Sequence, residues 1–228
     1  MGRTPSVSRG ARVTKERVAV YIDGFNMYHA LNDLKRPALK WLNLKRLAEL
    51  LISKQTQSLV KVCFFSATPD HFQNTASVDK LLRHRAYKAA LEAKGVECIM
   101  GDFAERTRTY KDPTRNFRAS WGGHEEKQTD VAIALNVLSD AYQDVYDRAL
   151  IVCVDTDQLP TYKMVKSLFP QKHLVCVAPP HRAHHRDLQA AAHSIASIKV
   201  SQVEKALFGR EVRKGGAVVA KRPSAYQP

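Results

Sequence analysis

The chain has 228 residues, of which 44% are hydrophobic, so it can bury the core of one α/β domain. Lys and Arg outnumber Asp and Glu by 36 to 22, and the net charge of +14 favours a polyanionic partner such as nucleic acid. No apolar run approaches the ~20 residues of a membrane helix, and the N-terminal segment lacks the apolar stretch of a secretory signal. These features argue against a membrane or secreted protein and predict a cytoplasmic one.

Residues 1–16 are basic and rich in Ser and Gly, which predicts a flexible arm, and residues 209–228 predict a similar flexible basic tail. Between them, over residues 17–208, short β-branched runs alternate with helical patterns, as is typical of βαβ units. The expected fold is therefore a three-layer α/β/α domain with a mostly parallel, Rossmann-like sheet. The predicted strands are Arg17–Ile22, Leu59–Ser66, Val96–Met100, Ala149–Val154 and His173–Val177. The predicted helices are Leu44–Leu51, Ala76–Lys94, Asp130–Tyr142, Leu159–Leu168 and Arg186–Ile198.

Cysteine placement argues against a zinc or disulfide centre. All four cysteines lie in short apolar runs, and no two form a Cys-x-x-Cys pair. We interpret them as reduced core residues. The cysteines are Cys63, Cys98, Cys153 and Cys176.

Residues 102–126 form a long connection, and a Lys-Asp-Pro-Thr turn at its middle predicts a basic hairpin. Arginines beside aromatic rings can bind single-stranded RNA, because the arginines pair with phosphates while bases stack on the rings. A solvated hairpin with one packed face is an equally open interpretation. The residues concerned are Arg106, Arg108, Lys111, Arg115 and Arg118, with Tyr110, Phe117 and Trp121 among them.

Three aspartates directly follow predicted strands. Asp23 follows the first strand, and Asp155 and Asp157 follow ALIVCV, so all three are expected at the carboxyl edge of the sheet, where open α/β folds bind ligands. If the chain stays extended, the i, i+2 spacing of Asp155 and Asp157 directs both carboxylates to one side. Helix capping is the competing explanation for each residue.

A fourth acid, Asp130, begins a predicted helix, which Thr129 or Asp130 could cap. Lys127, just upstream, could hold a phosphate or be solvated. Carboxylates without His or Cys make a hard oxygen site, which suits Mg²⁺ or Mn²⁺ and the in-line attack of water on a phosphodiester.

Three segments resemble the NYN domain family, a LabA-like branch of the PIN-like nucleases. They are VAVYIDGFNMYHAL, EKQTDVAIALNVL and YDRALIVCVDTDQLP, in the family's order within residues 17–180. The resemblance implies a PIN-like fold and metal-dependent cleavage of RNA. By position, Asp23, Asp130, Asp155 and Asp157 would be both the catalytic residues and the metal ligands. The expected substrate-binding residues are Asn26, Lys127, Thr156, Arg106, Arg108, Arg115 and Arg118.

The chain departs from this family at two places. Asn136 stands where the family often has an acid, and Val154 stands where the strand-end motif has a glycine. The leading hypothesis is a Mg²⁺- or Mn²⁺-dependent ribonuclease, and the alternative is a non-catalytic RNA-binding module with the same fold. RNA is the expected partner, and a homodimer is an open alternative to a monomer. The HRAHHR segment at 181–186 is interpreted as a basic loop, solvated or touching phosphate, rather than a zinc site.

Overall fold

The structure is a computed structural model that describes residues 14–68, 75–112 and 117–227, with side chains described outside 75–77 and 102–127. The strands are β1 (Glu16–Asp23), β2 (Gln57–Ala67), β3 (Glu97–Asp112), β4 (Phe117–Lys127), β5 (Arg148–Val152), β6 (His173–Ala178), β7 (Ser194–Ser197), β8 (Glu211–Lys214) and β9 (Ala217–Lys221). The α-helices are α1 (Gly24–Asp33), α2 (Leu44–Leu51), α3 (Thr75–Ala93), α4 (Thr129–Tyr142), α5 (Leu159–Leu168), α6 (Arg186–Ala191) and α7 (Val200–Lys205). Within these ranges, no helix has both the length and the apolar character needed to cross a bilayer.

The main sheet has the strand order β4-β3-β2-β1-β5-β6-β7, and six of its strands run parallel. Strand β4 pairs antiparallel to β3 at one edge. From β1 the chain builds outward through β2 and β3, and then returns to β1's other side with β5. The strand order therefore reverses between β1 and β5, the position where open α/β sheets bind ligands.

Hydrophobic cores cover both faces of the sheet, as the predicted three-layer fold requires. Strand β1 alternates: Val18, Val20 and Ile22 face one core, whereas Ala19 and Tyr21 face the other. Helices α1, α2, α3 and α7 pack on the first face, and α4, α5 and α6 pack on the second. Because β1 and β5 are buried on both faces, their carboxyl ends are held in fixed positions.

The predicted hairpin is present. Strands β3 and β4 pair from Asp102 opposite Lys127 to Asp112 opposite Phe117. The hairpin starts where β3 leaves its pairing with β2 at Gly101, so it continues beyond the carboxyl edge of the sheet. The side chains of the hairpin residues are outside the described part of the structure, as is the whole of Arg115.

Two sequence predictions fail in the C-terminal half. The predicted helix Arg186–Ile198 ends at Ala191, and residues 194–197 form β7, which pairs with β6. The predicted flexible tail instead folds as the β8–β9 hairpin, which buries Val212 and Ala220 in the first core. These strands are only four or five residues long, which is too short to give a clear periodicity in the sequence. The predicted N-terminal arm lies mostly outside the described residues, and β1 already includes its last residue, Glu16.

Candidate metal and nucleic acid site

Asp23 ends β1 and is 4% exposed. Its Oδ1 accepts hydrogen bonds from the backbone N–H groups of Phe25 and Asn26 at 2.9 and 3.0 Å, so it caps helix α1. Its Oδ2 accepts from the Asn26 amide at 2.8 Å and from the Cys153 thiol at 3.3 Å. These four donors match the roughly four acceptor positions of a carboxylate, which fixes the orientation of the group.

Gly24 allows α1 to start directly after Asp23. A Cβ at this position would lie 2.5 Å from the Phe65 carbonyl oxygen and 2.7 Å from the Phe64 ring. A glycine is needed here because α1 approaches β2 so closely.

Asn26 and Cys153 connect the end of β1 to the end of β5. The Asn26 side-chain oxygen accepts from the Val154 N–H at 3.3 Å, and the Cys153 sulfur accepts from the Asp155 N–H at the same distance. Val154 has no positive φ, so the valine is compatible with the backbone there and no glycine is required. Cys153 was predicted only as a core residue, because nothing in the sequence placed its thiol beside Asp23.

Asp155 and Asp157 do not lie on an extended chain, so that expectation was wrong. Residues Thr156–Gln158 form a short 3-10 turn, and Oδ1 of Asp155 caps it by accepting from the Asp157 N–H at 3.0 Å. Both carboxylates are exposed. The turn therefore presents two acids to solvent beside the buried Asp23.

Asp130 lies in the first turn of α4, but neither it nor Thr129 is the N-cap residue. Gln128 has that position, with φ of 78°. A left-handed conformation is unusual for a residue with a side chain, and such strain is often found at functional sites. The Gln158 amide donates to the Asp130 carbonyl at 3.1 Å and to its Oδ1 at 3.3 Å. Gln158, which sequence reasoning missed, thus joins α4 to the strand-end turn.

The carboxylates crowd one another. Burial raises the pKa of Asp23 despite its four hydrogen bonds. The pKa of Asp130 is raised by burial and by the negative charges of Asp23, Asp155 and Asp157. Like charges raise each other's pKa only at close range, so the four predicted acids share one electrostatic environment.

The carboxylates are hard oxygen donors, which suit a divalent cation, and a cation would offset their mutual repulsion. Their oxygens are not arranged to hold an ion without movement. Among the residues described, no three His, Cys, Asp or Glu side chains are grouped closely enough to hold an ion. Both oxygens of Asp23 already accept hydrogen bonds, so metal binding would require the carboxylates to reorient.

Asp155 lines a pocket of about 450 Å³, whereas the other three aspartates do not. Asn26 and His29 of α1 contribute to the lining, as do Val154 and Thr156 beside Asp155. Two residues of the HRAHHR segment complete it, namely Arg182 and His185. Sequence reasoning considered that segment as a loop that could touch phosphate, but it had no means of placing it beside Asp155.

A second histidine of this segment, His184, has a structural position. His184 Nε2 lies 2.8 Å from the Ala196 carbonyl oxygen and 3.3 Å from that of Cys176, so it links β6 to β7. His185 caps α6, and Arg182 pairs with Asp33 at 2.6 Å. The interpretation of HRAHHR as a basic loop, solvated or touching phosphate, therefore leaves out these structural contacts of His184 and His185.

Asn136 does not take part in the acidic cluster. Its amide donates to the Ala132 carbonyl at 2.9 Å, one turn back on the same helix. The other predicted substrate-binding residues fall into two groups. Asn26 and Thr156 lie at the site, whereas the side chains of Lys127, Arg106, Arg108 and Arg118 fall outside the described structure.

A parallel α/β/α sheet with acids at the carboxyl ends of its central strands defines a PIN-like protein. The family model for the NYN domain matches residues 17–199, and the chain belongs to the NYN domain family. This confirms the family suggested by the three sequence motifs. Proteins of this family are generally nuclease-like.

Two other proteins are similar to this chain. A protein of unknown function from Vibrio parahaemolyticus has a TM-score of 0.51 at 16% identity, covering 81% of this chain and 94% of that one, and supports the fold alone. The 6-hydroxy-3-succinoylpyridine 3-monooxygenase HspA of Pseudomonas putida is 27% identical over 177 residues. That alignment covers 66% of this chain and 56% of the relative, so the chain spans little more than half of the relative's length.

Proposed function

We propose that this protein is a metal-dependent ribonuclease that hydrolyses phosphodiester bonds of RNA at the cluster of Asp23, Asp130, Asp155 and Asp157. One observation supports the proposal: Asp23 ends β1 and Asp155 follows β5, the strands between which the strand order reverses, and burial together with the charges of Asp23, Asp155 and Asp157 raises the pKa of Asp130. A fold that keeps like charges close loses stability unless a cation or another function offsets the repulsion. The monooxygenase name of the Pseudomonas relative remains a statement about that protein.

The four aspartates would hold Mg²⁺ or Mn²⁺. The ion would supply an activated water and neutralise charge on the phosphate. The chain's own residues would prepare the site, since Asn26 and Cys153 orient Asp23 and Gln158 orients Asp130. Arg182 and His185, which line the same pocket as Asp155, would contact the scissile phosphate.

RNA is the proposed substrate, and the cytoplasm is the proposed location. The net charge of +14 attracts a polyanion at long range. The β3–β4 hairpin, whose sequence combines arginines with aromatic residues, starts at the same edge of the sheet as the aspartates. An RNA strand bound along the hairpin would therefore reach the acidic cluster.

The test compares cleavage of labelled RNA in Mn²⁺ by the unchanged protein, Asp23→Asn and Asp155→Asn. Asp79→Asn is the matched control, because Asp79 is an exposed acid on α3 that lines neither described pocket. We expect cleavage by the unchanged protein and the control, little by the two site variants, and none in EDTA. Equal cleavage by all four proteins would show that the cluster is not the active site.

A second candidate is a non-catalytic RNA-binding module. It is favoured by the hydrogen bonds that occupy both oxygens of Asp23, and by the lack of a ready metal cage among the described residues. This candidate predicts salt-sensitive RNA binding in EDTA without turnover in Mn²⁺. Metal-dependent turnover that Asp155→Asn abolishes would eliminate it.

A further inference from the structure

A second pocket, of about 300 Å³, lies on the opposite side of α1 from the pocket that Asp155 lines. It is formed by α1, the carboxyl end of β2, helix α3 and the C-terminal segment that follows β9. Its volume is at the lower end of the range for small-molecule sites, so it suits one small ligand or one unit of a polymer.

Aromatic rings form much of its lining. Phe64 and Tyr87 meet edge to face, with ring centroids 5.8 Å apart. Tyr28, on α1, is 46% exposed at the rim, and Tyr226 contributes from the C-terminal segment. Flat aromatic faces around a narrow cavity favour a flat, π-bearing ligand.

The polar groups of the pocket are cationic or neutral. Lys40, Lys80 and Arg83 line it, and none of its lining residues in the described structure is acidic. Lys40 Nζ lies 4.6 Å from the centre of the Tyr28 ring, and Arg83 lowers the otherwise raised pKa of the half-buried Tyr226. The ligand that complements these charges is an anion.

His84 adds a polar group that the described structure leaves unused. No described residue offers a hydrogen bond to its buried Nδ1, while its Nε2 lies 3.5 Å from the Ser66 hydroxyl. Burial lowers the pKa of His84, so the ring is neutral at pH 7 and can either donate or accept. A buried polar atom without a partner destabilises the free protein. Because this Nδ1 has no exposed surface, a ligand with a polar ring edge would relieve that cost once the His84 ring turned toward the pocket.

We propose that this pocket binds one nucleotide of the RNA, with the base among the aromatic rings and the phosphate near Arg83 and Lys80. An aromatic ring that carries an anionic group matches the aromatic rings and the cations of the lining, and its polar ring edge suits His84. The pocket also adjoins the acidic site, because Gly24 and Phe25 follow Asp23 directly and Phe25 lines both pockets. This inference rests on the proposed function and adds a nucleotide subsite on the other side of α1 from the acids.

The first test measures binding to the full chain in EDTA, by calorimetry, of adenosine 5′-monophosphate, adenosine and ribose 5-phosphate. We expect the nucleotide to bind about fivefold or more tightly than either fragment, because base stacking and phosphate pairing both contribute. Equal binding of ribose 5-phosphate would show that the pocket attracts any anion and that the base contributes nothing, which would overturn the proposal. Equal binding of adenosine would remove the role of the cations and also overturn it.

Substitutions locate the binding. Tyr28→Leu and Arg83→Gln should each weaken nucleotide binding about fivefold or more. The matched controls are Tyr142→Leu and Arg46→Gln, which change an exposed ring on α4 and an exposed cation on α2. Binding by both pocket variants that equals that of the controls would place the nucleotide elsewhere.

A competition separates a subsite for RNA from one for a free nucleotide. A single-stranded RNA hexamer should displace the bound nucleotide, and saturating RNA that fails to do so would overturn the proposal. Asp155→Asn should keep nucleotide binding while losing cleavage. If the unchanged protein binds the nucleotide but never cleaves RNA, the proposed ribonuclease function fails while the subsite stands.

Discussion

Acidic residues near the two ends of strand β1 have different partners and opposite shifts in pKa. At the amino end, Asp147 accepts hydrogen bonds from the Arg17 backbone at 2.8 Å and from its guanidinium at 2.6 Å. Asp144 pairs with both Arg17 and the buried Lys172. These cations lower the pKa of both carboxyls, that of Asp144 to about 2.

At the carboxyl end the acids have each other as neighbours. Asp23 and Asp130 both have raised pKa values, and among the described side chains, which do not include Lys127, the hydrogen-bond donors to their carboxylates are amide, thiol and backbone N–H groups. Since one strand carries both arrangements, the fold itself can neutralise acids where stability is the only requirement. In the proposed function, a bound Mg²⁺ or Mn²⁺ would take the place of such cations at the carboxyl end.

The largest expected difference between the two ends concerns cleavage. The double variant Asp155→Asn with Asp157→Asn should lower metal-dependent cleavage of RNA about 100-fold or more, a size typical for the loss of an electrostatic group in an active site. The matched double variant Asp144→Asn with Asp147→Asn removes two acids from the other end and should cleave normally at 25 °C. Single-turnover rates in Mn²⁺ measure both, and similar rates for the two double variants would remove the functional distinction between the ends.

The amino end should dominate stability at neutral pH. Asp147→Asn should lower the free energy of unfolding by about 1 kcal/mol, a value kept small because the side chains of Asp147 and Arg17 are 40% and 36% exposed. The pKa of Asp147 is lower in the folded protein than in the unfolded chain, so the stabilisation is present above about pH 4 and is lost as the pH falls through the folded pKa.

Urea unfolding of the unchanged protein and of Asp147→Asn from pH 7 down to pH 2.5 checks this prediction. The two stabilities should converge at the acid end of the series. A difference that stays constant with pH would mean that the ion pair is not its source.

At the carboxyl end, removal of an acid should raise the free energy of unfolding rather than lower it. Asp130→Asn should raise the free energy of unfolding in EDTA by on the order of 0.5 kcal/mol, since solvent screens the repulsion at this half-buried group. A raised pKa in the folded state means that the charged carboxyl costs stability once the pH exceeds its unfolded pKa. Thermal unfolding of the unchanged protein and of Asp130→Asn in low salt, with and without Mn²⁺, tests this prediction. If the variant is less stable than the unchanged protein in EDTA, Asp130 has a structural role.

The smallest effect is expected at Asn136. Its side chain bonds to its own helix, so Asn136→Asp should change the cleavage rate less than about threefold and stability by less than about 0.5 kcal/mol. A gain of tenfold or more in the rate would show that the acid found in relatives contributes to catalysis and that the asparagine weakens this site.

The sequence predicted the parts of the molecule that strong local patterns specify. The β-branched runs that contain Val20 and Ile151 lie in the centre of the sheet, and the Leu44–Leu51 helix has the predicted bounds. The strand-end positions of Asp23 and Asp155 followed from the rule that parallel strands share a carboxyl edge.

The remaining features depend on contacts between distant segments. Arg182 and His185 share a pocket with Asp155 only because β6 lies beside β5, and the Cys153 thiol meets Asp23 only because β5 lies beside β1. Tyr226 belongs to a segment that was predicted as a flexible tail, yet it lines the pocket between α1 and α3. No local periodicity encodes such neighbours.

The most direct test of the acidic cluster as a cation site is an Mn²⁺ titration followed by electron paramagnetic resonance, which detects the free ion. The unchanged protein and the Asp144→Asn with Asp147→Asn variant should deplete free Mn²⁺ equally. The Asp155→Asn with Asp157→Asn variant should bind it at least about tenfold more weakly. Equal binding by all three proteins, or no binding by the unchanged protein in the presence of RNA, would contradict the assignment of the carboxyl end as a metal-dependent active site.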